Sequence, residues 1–334
     1  MTARLIRQAL AIPAPFIRGA DLALDTLWLQ PDERLLSLAH PSGWLAHDAL
    51  LNSYVCRLGQ VHYALSGRTV FAVGAEGLEP ELLAQWARSM RAKGARRQLV
   101  FPLASWQIED LVQQDFKTMK VGEEAEVFLP TYDLQGPSMS NLRRMLRRAQ
   151  AGGLTVVMSR HLPPQAEGLE QSWRAQAKQV RRMGLLVGAD QAAHRDLYAL
   201  VRDAEDQLVA WVQARPGFDG GGFGIDNMVR HPDAPPGAVE LAINALLQAR
   251  RDVGDRWFSL GAVPLRGIRF ERPLLGPICI ALRETKLGNS LFSFTGLSAF
   301  KDKFSPRWRS VFIADYCRLN ALSLYEGCRL WGLF

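Results

Sequence analysis

The chain has 334 residues, 48% hydrophobic and 22% charged, with 40 Lys+Arg against 33 Asp+Glu. This composition excludes a disordered, collagen-like or disulfide-scaffold protein and gives enough chain for two packed domains. Only 7 of the 40 basic residues are Lys, so the formal charge of +7 is almost entirely guanidinium, a planar fork suited to phosphate. Composition alone does not separate an anionic partner from a surplus spread evenly over the surface.

Cys56, Cys279, Cys317 and Cys328 show no Cys-x-x-Cys spacing and read as reduced cytoplasmic thiols. No apolar run approaches the roughly 20 residues that span a bilayer. The apolar N-terminal stretch is interrupted by Pro13, Pro15 and Arg18, which makes residues 1–29 an arm or leading helix rather than a signal peptide.

In chain order, residues 60–65 and 69–73 predict a hairpin across Ser66-Gly67. Residues 80–92 predict a helix, with Pro80 at its start and Gly94 just past its end. A strand at 99–103, a helix at 106–115 and a strand at 126–129 complete a β-β-α-β-α-β unit. A second unit begins at Ser140, the expected N-cap of a helix over 141–150. There Leu142, Met145, Leu146 and Ala149 recur at helical spacing, and Gly152-Gly153 stops the run. A strand at 154–159, a basic helix at 169–183 and strands at 197–203, 207–214 and 222–227 follow, with glycines 220–222 in a connection. Pro235-Pro236 opens an amphipathic helix running to 253, and 257–261 is a strand. The layout predicts an α+β protein of two similar domains joined near residues 130–140.

Arg143/Arg147 and Arg144/Arg148 are like-charge pairs at i, i+4, a spacing that costs an isolated helix about 0.2–0.5 kcal/mol per pair. Four arginines without a neighbouring carboxylate invite a polyanion; the plainer reading is a solvated face. A second basic stretch contains Lys301, Lys303, Arg307 and Arg309 interleaved with Phe304 and Trp308, a pattern that suits a phosphate backbone and a stacked base. Residues 250–309 hold 12 Lys/Arg and 5 Asp/Glu, a difference of +7 that equals the surplus of the whole chain.

The six histidines lack zinc-ligand spacing, and neither a Gly-x-Ser-x-Gly elbow nor a Walker loop occurs. The remaining polar stations are Asp226 with Arg230, Glu240, and Ser259 in Phe-Ser-Leu-Gly. Asp226 stands at the end of a predicted strand and Glu240 in the first turn of a predicted helix. A carboxylate in such a place serves as general base, binds an ammonium, or only complements the helix dipole.

Five stretches, in order, carry a family resemblance: residues 121–129 (Val-Gly-Glu-Glu-Ala-Glu-Val-Phe-Leu), 141–149 with Gly153, 226–237, 258–267 and 296–308. Together they resemble the soluble catalytic domain of aminoacyl-phosphatidylglycerol synthases, the lysyl- and alanyl-phosphatidylglycerol synthases or multiple peptide resistance factors, over roughly residues 30–318. The resemblance implies two tandem GNAT-type acyltransferase domains, each a mixed, mostly antiparallel sheet flanked by helices. They would occupy residues 30–135 and 136–334, the second carrying the active site. It also implies transfer of an amino acid from aminoacyl-tRNA to a membrane lipid hydroxyl. No cofactor, metal or DNA partner is expected, and the place of work is the cytoplasm, against the inner face of the membrane. The pantetheine-phosphate loop of acetyl-CoA enzymes is missing.

By resemblance, Asp226 binds the ammonium or assists proton transfer and Arg230 assists at the ester or lipid phosphate; Glu240 and Ser259, from their polar stations, complete the expected catalytic set. Arg143, Arg144, Arg147, Arg148, Lys301, Lys303, Arg307 and Arg309 would take the tRNA acceptor stem or an anionic headgroup. The family's Asp-apolar-Met-Arg becomes Asp226-Asn227-Met228-Val229 here, with arginine one place later. The alternatives are a related transferase using a peptide, sterol or small-molecule acceptor or an acyl-carrier donor, and a catalytically silent protein that binds RNA or membrane.

Overall fold

Alternation of apolar side chains makes Gly59–Ser66 (β2) and Thr69–Val73 (β3) antiparallel partners, and Asn52–Cys56 (β1) lies along β2. The computed structural model describes residues 52–73, 75, 78–176, 196–216, 222–268 and 294–330. The expected leading arm, the basic end of the helix expected at 169–183 and glycines 220 and 221 lie outside the described residues.

Pro80–Ala92 (α1) starts on Pro80 and ends where Gly94 takes φ 93°. It buries Leu82, Leu83, Trp86, Ala87 and Met90 in a core with Val61, Tyr63, Val70 and Val100. Each large side chain contributes about 1.5–3 kcal/mol by leaving water. Arg97–Leu103 (β4) runs parallel to β3, and Ile108–Gln113 (α2) leads into the long strand Phe116–Phe128 (β5).

Ser140–Ala151 (α3), Thr155–Ser159 (β6) and Gln165–Gln176 (α4) come next. Ser140 is the first residue of α3 rather than its cap, a position held by Met139. Leu197–Arg202 (β7), Leu208–Pro216 (β8), Gly222–Arg230 (β9), Ala238–Val253 (α5) and Trp257–Pro264 (β10) follow. Phe294–Asp302 (α6), Arg307–Tyr316 (β11) and Ala321–Leu330 (α7) close the order.

The strands form one mixed sheet of eleven, ordered β1-β2-β3-β4-β11-β5-β10-β9-β8-β7-β6 and flanked by helices, rather than two separate sheets. The succession hairpin, helix, parallel strand does occur twice, as β2-β3-α1-β4 and as β8-β9-α5-β10. The final strands change sides. β5 pairs with β10, and β11 returns to pair with β4. Between them, β5 and β11 form a long antiparallel ladder from Arg307↔Glu126 to Tyr316↔Phe116, with one register shift between Val311 and Phe312. The exchange covers an edge of each half, which leaves fewer unpaired backbone groups.

One face of the second half gathers Ala199, Val201, Val212, Ala214 and Phe258 into a core with Leu241, Ile243, Leu246 and Leu247 of α5 and Leu142, Leu146 and Ala149 of α3. Gly237, at φ 99°, begins α5 so close to α3 that a Cβ there would stand 2.3 Å from the Met145 carbonyl oxygen. On the opposite face Tyr198, Leu200, Trp211 and Val229 pack with Ala166 and Leu169 of α4. The aligned row Tyr198↔Gln213 and Gln213↔Asn227 continues that face into polar ground.

Candidate active site

β9 and β10 start as parallel neighbours and then part. Their ladder holds Trp257↔Gly222, Phe258↔Phe223 and Ser259↔Gly224, and ends there, whereas β3 and β4 stay paired from Thr69↔Arg97 to Val73↔Phe101. Both diverging strands carry a bulge at this point. Against β8, the register of β9 passes from Ala214↔Ile225 to Gln213↔Asn227, so Asp226 is the extra residue. Against β5, the register of β10 passes from Ser259↔Glu126 to Ala262↔Glu124, so Leu260 and Gly261 face a single residue, with Gly261 at φ 84°. A bulge bends its strand and re-aims a side chain. Here two bulges bend neighbouring strands apart and turn Asp226 out of the regular alternation.

The β9 wall is a buried hydrogen-bonded network. Arg215 Nη1 lies 3.1 Å from Asp226 Oδ2, and its Nε lies 3.4 Å from Asp196 Oδ2. Gln213 Nε2 donates to the same Asp196 oxygen at 2.6 Å and to the Tyr198 hydroxyl at 3.1 Å. Asn227 Nδ2 donates to Gln213 Oε1 at 2.8 Å. The amide at 227 is therefore satisfied inside the sheet, and Val229, where the family pattern has arginine, is buried in the α4 core. The guanidinium beside Asp226 comes instead from β8. Burial raises the Asp196 carboxyl above its ordinary range, opposed by Arg215 and by hydrogen bonds from Gln213 and Tyr198.

The β10 wall carries the opposite assortment. Ser259 Oγ donates to Glu124 Oε1 and accepts the Gly261 N–H at 2.9 Å, while Arg309 Nη2 holds Glu124 Oε2. Lys301, 3% exposed, donates from Nζ to the Ala262 carbonyl at 2.9 Å. A Cβ on Gly261 would lie 3.4 Å from that Nζ and 4.0 Å from the Ile225 carbonyl oxygen, so the lysine amine reaches the opening between β9 and β10. Burial lowers the Lys301 amine to about 7, with Glu124 pulling it back up. An amine that titrates near neutral pH can take and return a proton at little cost.

The structure thus sets Asp226, with Arg215, on the β9 side of the divergence and Ser259 and Lys301 on the β10 side, where Arg309 reaches Ser259 only through Glu124. Lys301 is not a surface cation, because folding turns it inward. Glu240 answers Lys303, Oε1 to Nζ at 2.7 Å, an ion pair that ties the start of α5 to the end of α6. Arg230 is exposed at the end of β9 and Arg307 at the start of β11.

The four arginines of α3 divide in two. Arg143 Nη1 is engaged with the carbonyls of Leu134 and Gly136, and Arg144 Nη2 donates to Asn141 Oδ1 at 3.0 Å. Arg147 and Arg148 are exposed and meet no acidic partner among the described residues. Sequence reading did not single out Asp196, Arg215 or Glu124. Gln213 and Arg215 were the available signal, two polar residues at strand spacing within an otherwise apolar strand. Among the described residues, no group of three or more His, Cys, Asp or Glu is arranged to hold a metal, and no helix is long and apolar enough to cross a membrane.

The molecule is thus a mixed sheet flanked by helices, with a parallel pair that splits over a polar cluster. The family model for the C-terminal region of phosphatidylglycerol lysyltransferase matches residues 59–315, and the chain belongs to that family. A phosphatidylglycerol lysyltransferase of Bacillus subtilis (strain 168) is 26% identical over 217 residues, 63% of this chain and 25% of the relative, so the chain spans about a quarter of that protein's length. Among solved structures, the C-terminal domain assigned to a lysylphosphatidylglycerol synthetase of Agrobacterium fabrum superposes with TM-score 0.73 at 23% identity, covering 89% of this chain and 94% of that one. L-PGS from Bacillus licheniformis superposes with TM-score 0.72 at 20% identity, covering 92% and 99%.

Proposed function

We propose that this chain is an aminoacyltransferase that moves an amino acid from aminoacyl-tRNA to a hydroxyl of phosphatidylglycerol, working from the cytoplasm at the inner face of the membrane. Family membership supports the acceptor and the reaction class. The single observation that carries the chemistry is the buried Lys301 amine beside Gly261, at the strand divergence.

In the reaction, the lipid hydroxyl oxygen attacks the ester carbonyl carbon of the charged tRNA, and its proton passes to the neutral Lys301 Nζ. The tetrahedral adduct then collapses. The bond to the ribose oxygen breaks, and that oxygen takes the proton back from Lys301. One ester is exchanged for another, so the balance needs no ATP or cofactor. Asp226 receives the ammonium of the amino acid, with Arg215 holding its carboxylate in place. Ser259, Glu124 and Arg309 fix the β10 side of the opening and keep a carboxylate within electrostatic reach of Lys301. Arg147, Arg148 and Arg307 are the exposed cations for the acceptor stem, and Arg230 the one for a headgroup phosphate.

The repeated succession of hairpin, helix and parallel strand supports two tandem GNAT-type units, residues 30–135 and 136–334, which share one sheet through their exchanged strands. The test is a cell-free assay with radiolabelled aminoacyl-tRNA and phosphatidylglycerol vesicles. A labelled lipid that disappears when RNase is added first is the expected outcome. Labelling that survives RNase removes the tRNA donor, and no lipid product with any charged tRNA removes the function.

A further inference from the structure

Arg266, just past the end of β10, joins three other elements. Its Nε lies 3.2 Å from Glu123 Oε2 on β5, its Nη2 lies 3.5 Å from Asp302 Oδ1 on α6, and its Nη1 donates to Ser298 Oγ on the same helix. The guanidinium also stacks over the Trp308 ring of β11, 3.8 Å from the centroid, and the Trp308 indole N–H donates to Asp302 Oδ1 at 3.1 Å. Leu265 turns the chain at φ 61°, uncommon for a bulky side chain, and donates its N–H to the Val121 carbonyl at 2.8 Å. The turn that presents Arg266 is therefore itself fixed to β5.

Ser298 and Asp302 stand one helical turn apart, and Lys301 lies between them in sequence. α6 thus meets the end of β10 through two attachments, Lys301 Nζ on the Ala262 carbonyl and the Arg266 fork on Ser298 and Asp302. The first is made by the amine itself and so cannot aim it. The second is a permanently charged group whose bonds do not depend on whether Lys301 holds a proton. Just past α6 the chain is anchored separately, by Phe304 in the core and by Lys303 on Glu240. Loss of Arg266 would loosen the helix without detaching it.

Building on the proposed function, we infer that Arg266 is a positioning residue whose fork clamps α6 against the end of β10 and so aims the Lys301 amine into the opening. A planar guanidinium can engage Glu123, Ser298 and Asp302 at once while it stacks on an aromatic ring, whereas a lysine ammonium in its place is a point charge. The other charged groups around the amine are Glu124 of β5, Arg309 of β11 behind it, Asp302 and Lys303 next to it in sequence, and Asp226 on the β9 side. All of these keep their charges when Arg266 is replaced. Loosening α6 admits water to the amine and returns it towards the ordinary lysine value of 10.5.

The experiment uses the whole chain with carbon-13 at the lysine Cε, followed by NMR across pH. The chain has only 7 lysines, and Lys301→Met assigns the signal that matters. Wild type should show an inflection near 7, and R266M should move it above about 8.5. R266K separates the fork from its charge and should move the inflection nearly as far. In transfer assays both variants should lower the high-pH plateau of kcat about 30- to 100-fold, with KM for donor and lipid held within about twofold. The inflection of kcat against pH should follow the NMR value. Ser298→Ala removes one arm of the clamp without changing any charge and should move the inflection the same way by less. It decides the matter if neither Arg266 variant folds.

A wild-type inflection at the ordinary lysine value overturns the inference, and so does one left unmoved by R266M or by Ser298→Ala. A wild-type inflection in R266K overturns it as well, because Arg266 would then act by charge alone. A purely structural Arg266 would lower the melting temperature and leave both inflections in place. A displaced inflection in both Arg266 variants, with no lipid product from any donor, would keep the clamp and remove the proposed function. Lipid product with one pH profile shared by wild type and both variants would do the reverse.

Discussion

Arg215 Nη1 and Asp226 Oδ2 meet at 3.1 Å across two neighbouring strands, one residue running in register and the other displaced by a bulge. The pair reconciles the departure at Val229 with a charged site, because β8 delivers the guanidinium that β9 does not. Arg215 also faces Asp196, so Arg215→Met would strand the buried Asp196 carboxylate and the partly buried Asp226 carboxylate. At pH 7 this substitution should cost about 3–5 kcal/mol in urea denaturation. Part of that loss should return at lower pH as Asp196 protonates, since burial already raises its carboxyl. A loss independent of pH would show that packing, not charge, is what Arg215 supplies.

Asp226→Asn should leave the melting temperature nearly unchanged and lower kcat/KM for the donor roughly 30- to 100-fold, the equivalent of one charge-assisted hydrogen bond. Steady-state transfer assays at fixed lipid read this directly. Full activity would remove Asp226 from the site.

Lys301 must be neutral to accept a proton, so kcat should rise with pH and level off above about 7. Lys301→Met should lower kcat by about 10²- to 10⁴-fold and abolish that rise. The stability effect has the opposite character. Between about 7 and the ordinary lysine value of 10.5, the unfolded chain holds a proton that the folded chain has lost. Wild-type stability relative to Lys301→Met should therefore climb as the pH is raised from 7 to 10. A flat difference in thermal melts would contradict the inward, desolvated placement of the amine.

Asp315 gives an independent check in the other half of the sheet. It is buried, accepts the Gln98 N–H at 3.1 Å and the Ser323 hydroxyl at 2.5 Å, and burial raises its carboxyl from 3.8 to about 6. The folded state then binds a proton that the unfolded state has released, so this group's contribution is complete below 3.8 and lost as the pH passes 6. Wild type should lose stability relative to Asp315→Asn between pH 4 and 6, as followed by chemical denaturation.

The arginines of α3 should separate by role. Arg147→Ala with Arg148→Ala should raise KM for aminoacyl-tRNA and reduce the magnitude of its log–log salt slope by up to about 2, with stability unaltered. Arg143→Ala should destabilise the fold by about 1–3 kcal/mol, because it releases the Leu134 and Gly136 carbonyls. Identical behaviour of the two variants would mean that α3 is one uniform surface.

Elements with a strong local period were legible from the sequence: the β2–β3 hairpin, α1 to the residue, α3, and the run from β7 to β10. Elements defined by distant partners were not. β5 was readable only at its last few residues, since Lys117, Lys120, Glu123 and Glu124 break its alternation. Glu124 is nonetheless buried, and its partner Arg309 lies 185 positions away. The same blindness made Lys301, Lys303 and Arg309 look like an open basic strip. Lys303 meets Glu240 63 positions upstream, and no window of sequence shows that pairing. Asp226 stands out in the sequence because it lies in a recognisable motif. Asp196 and Arg215 became visible only once β7, β8 and β9 were side by side.

The trading of β5 and β11 has a mechanical consequence. Shearing the two halves apart would require breaking the β5–β11 ladder together with β4–β11 and β5–β10, so no hinge is built into the plate at its middle. Such a plate offers no way to grip a ligand by clamping one half on the other. On the proposed function, donor and acceptor would have to be brought to a fixed aperture, whose width is set by two bulges in the backbone.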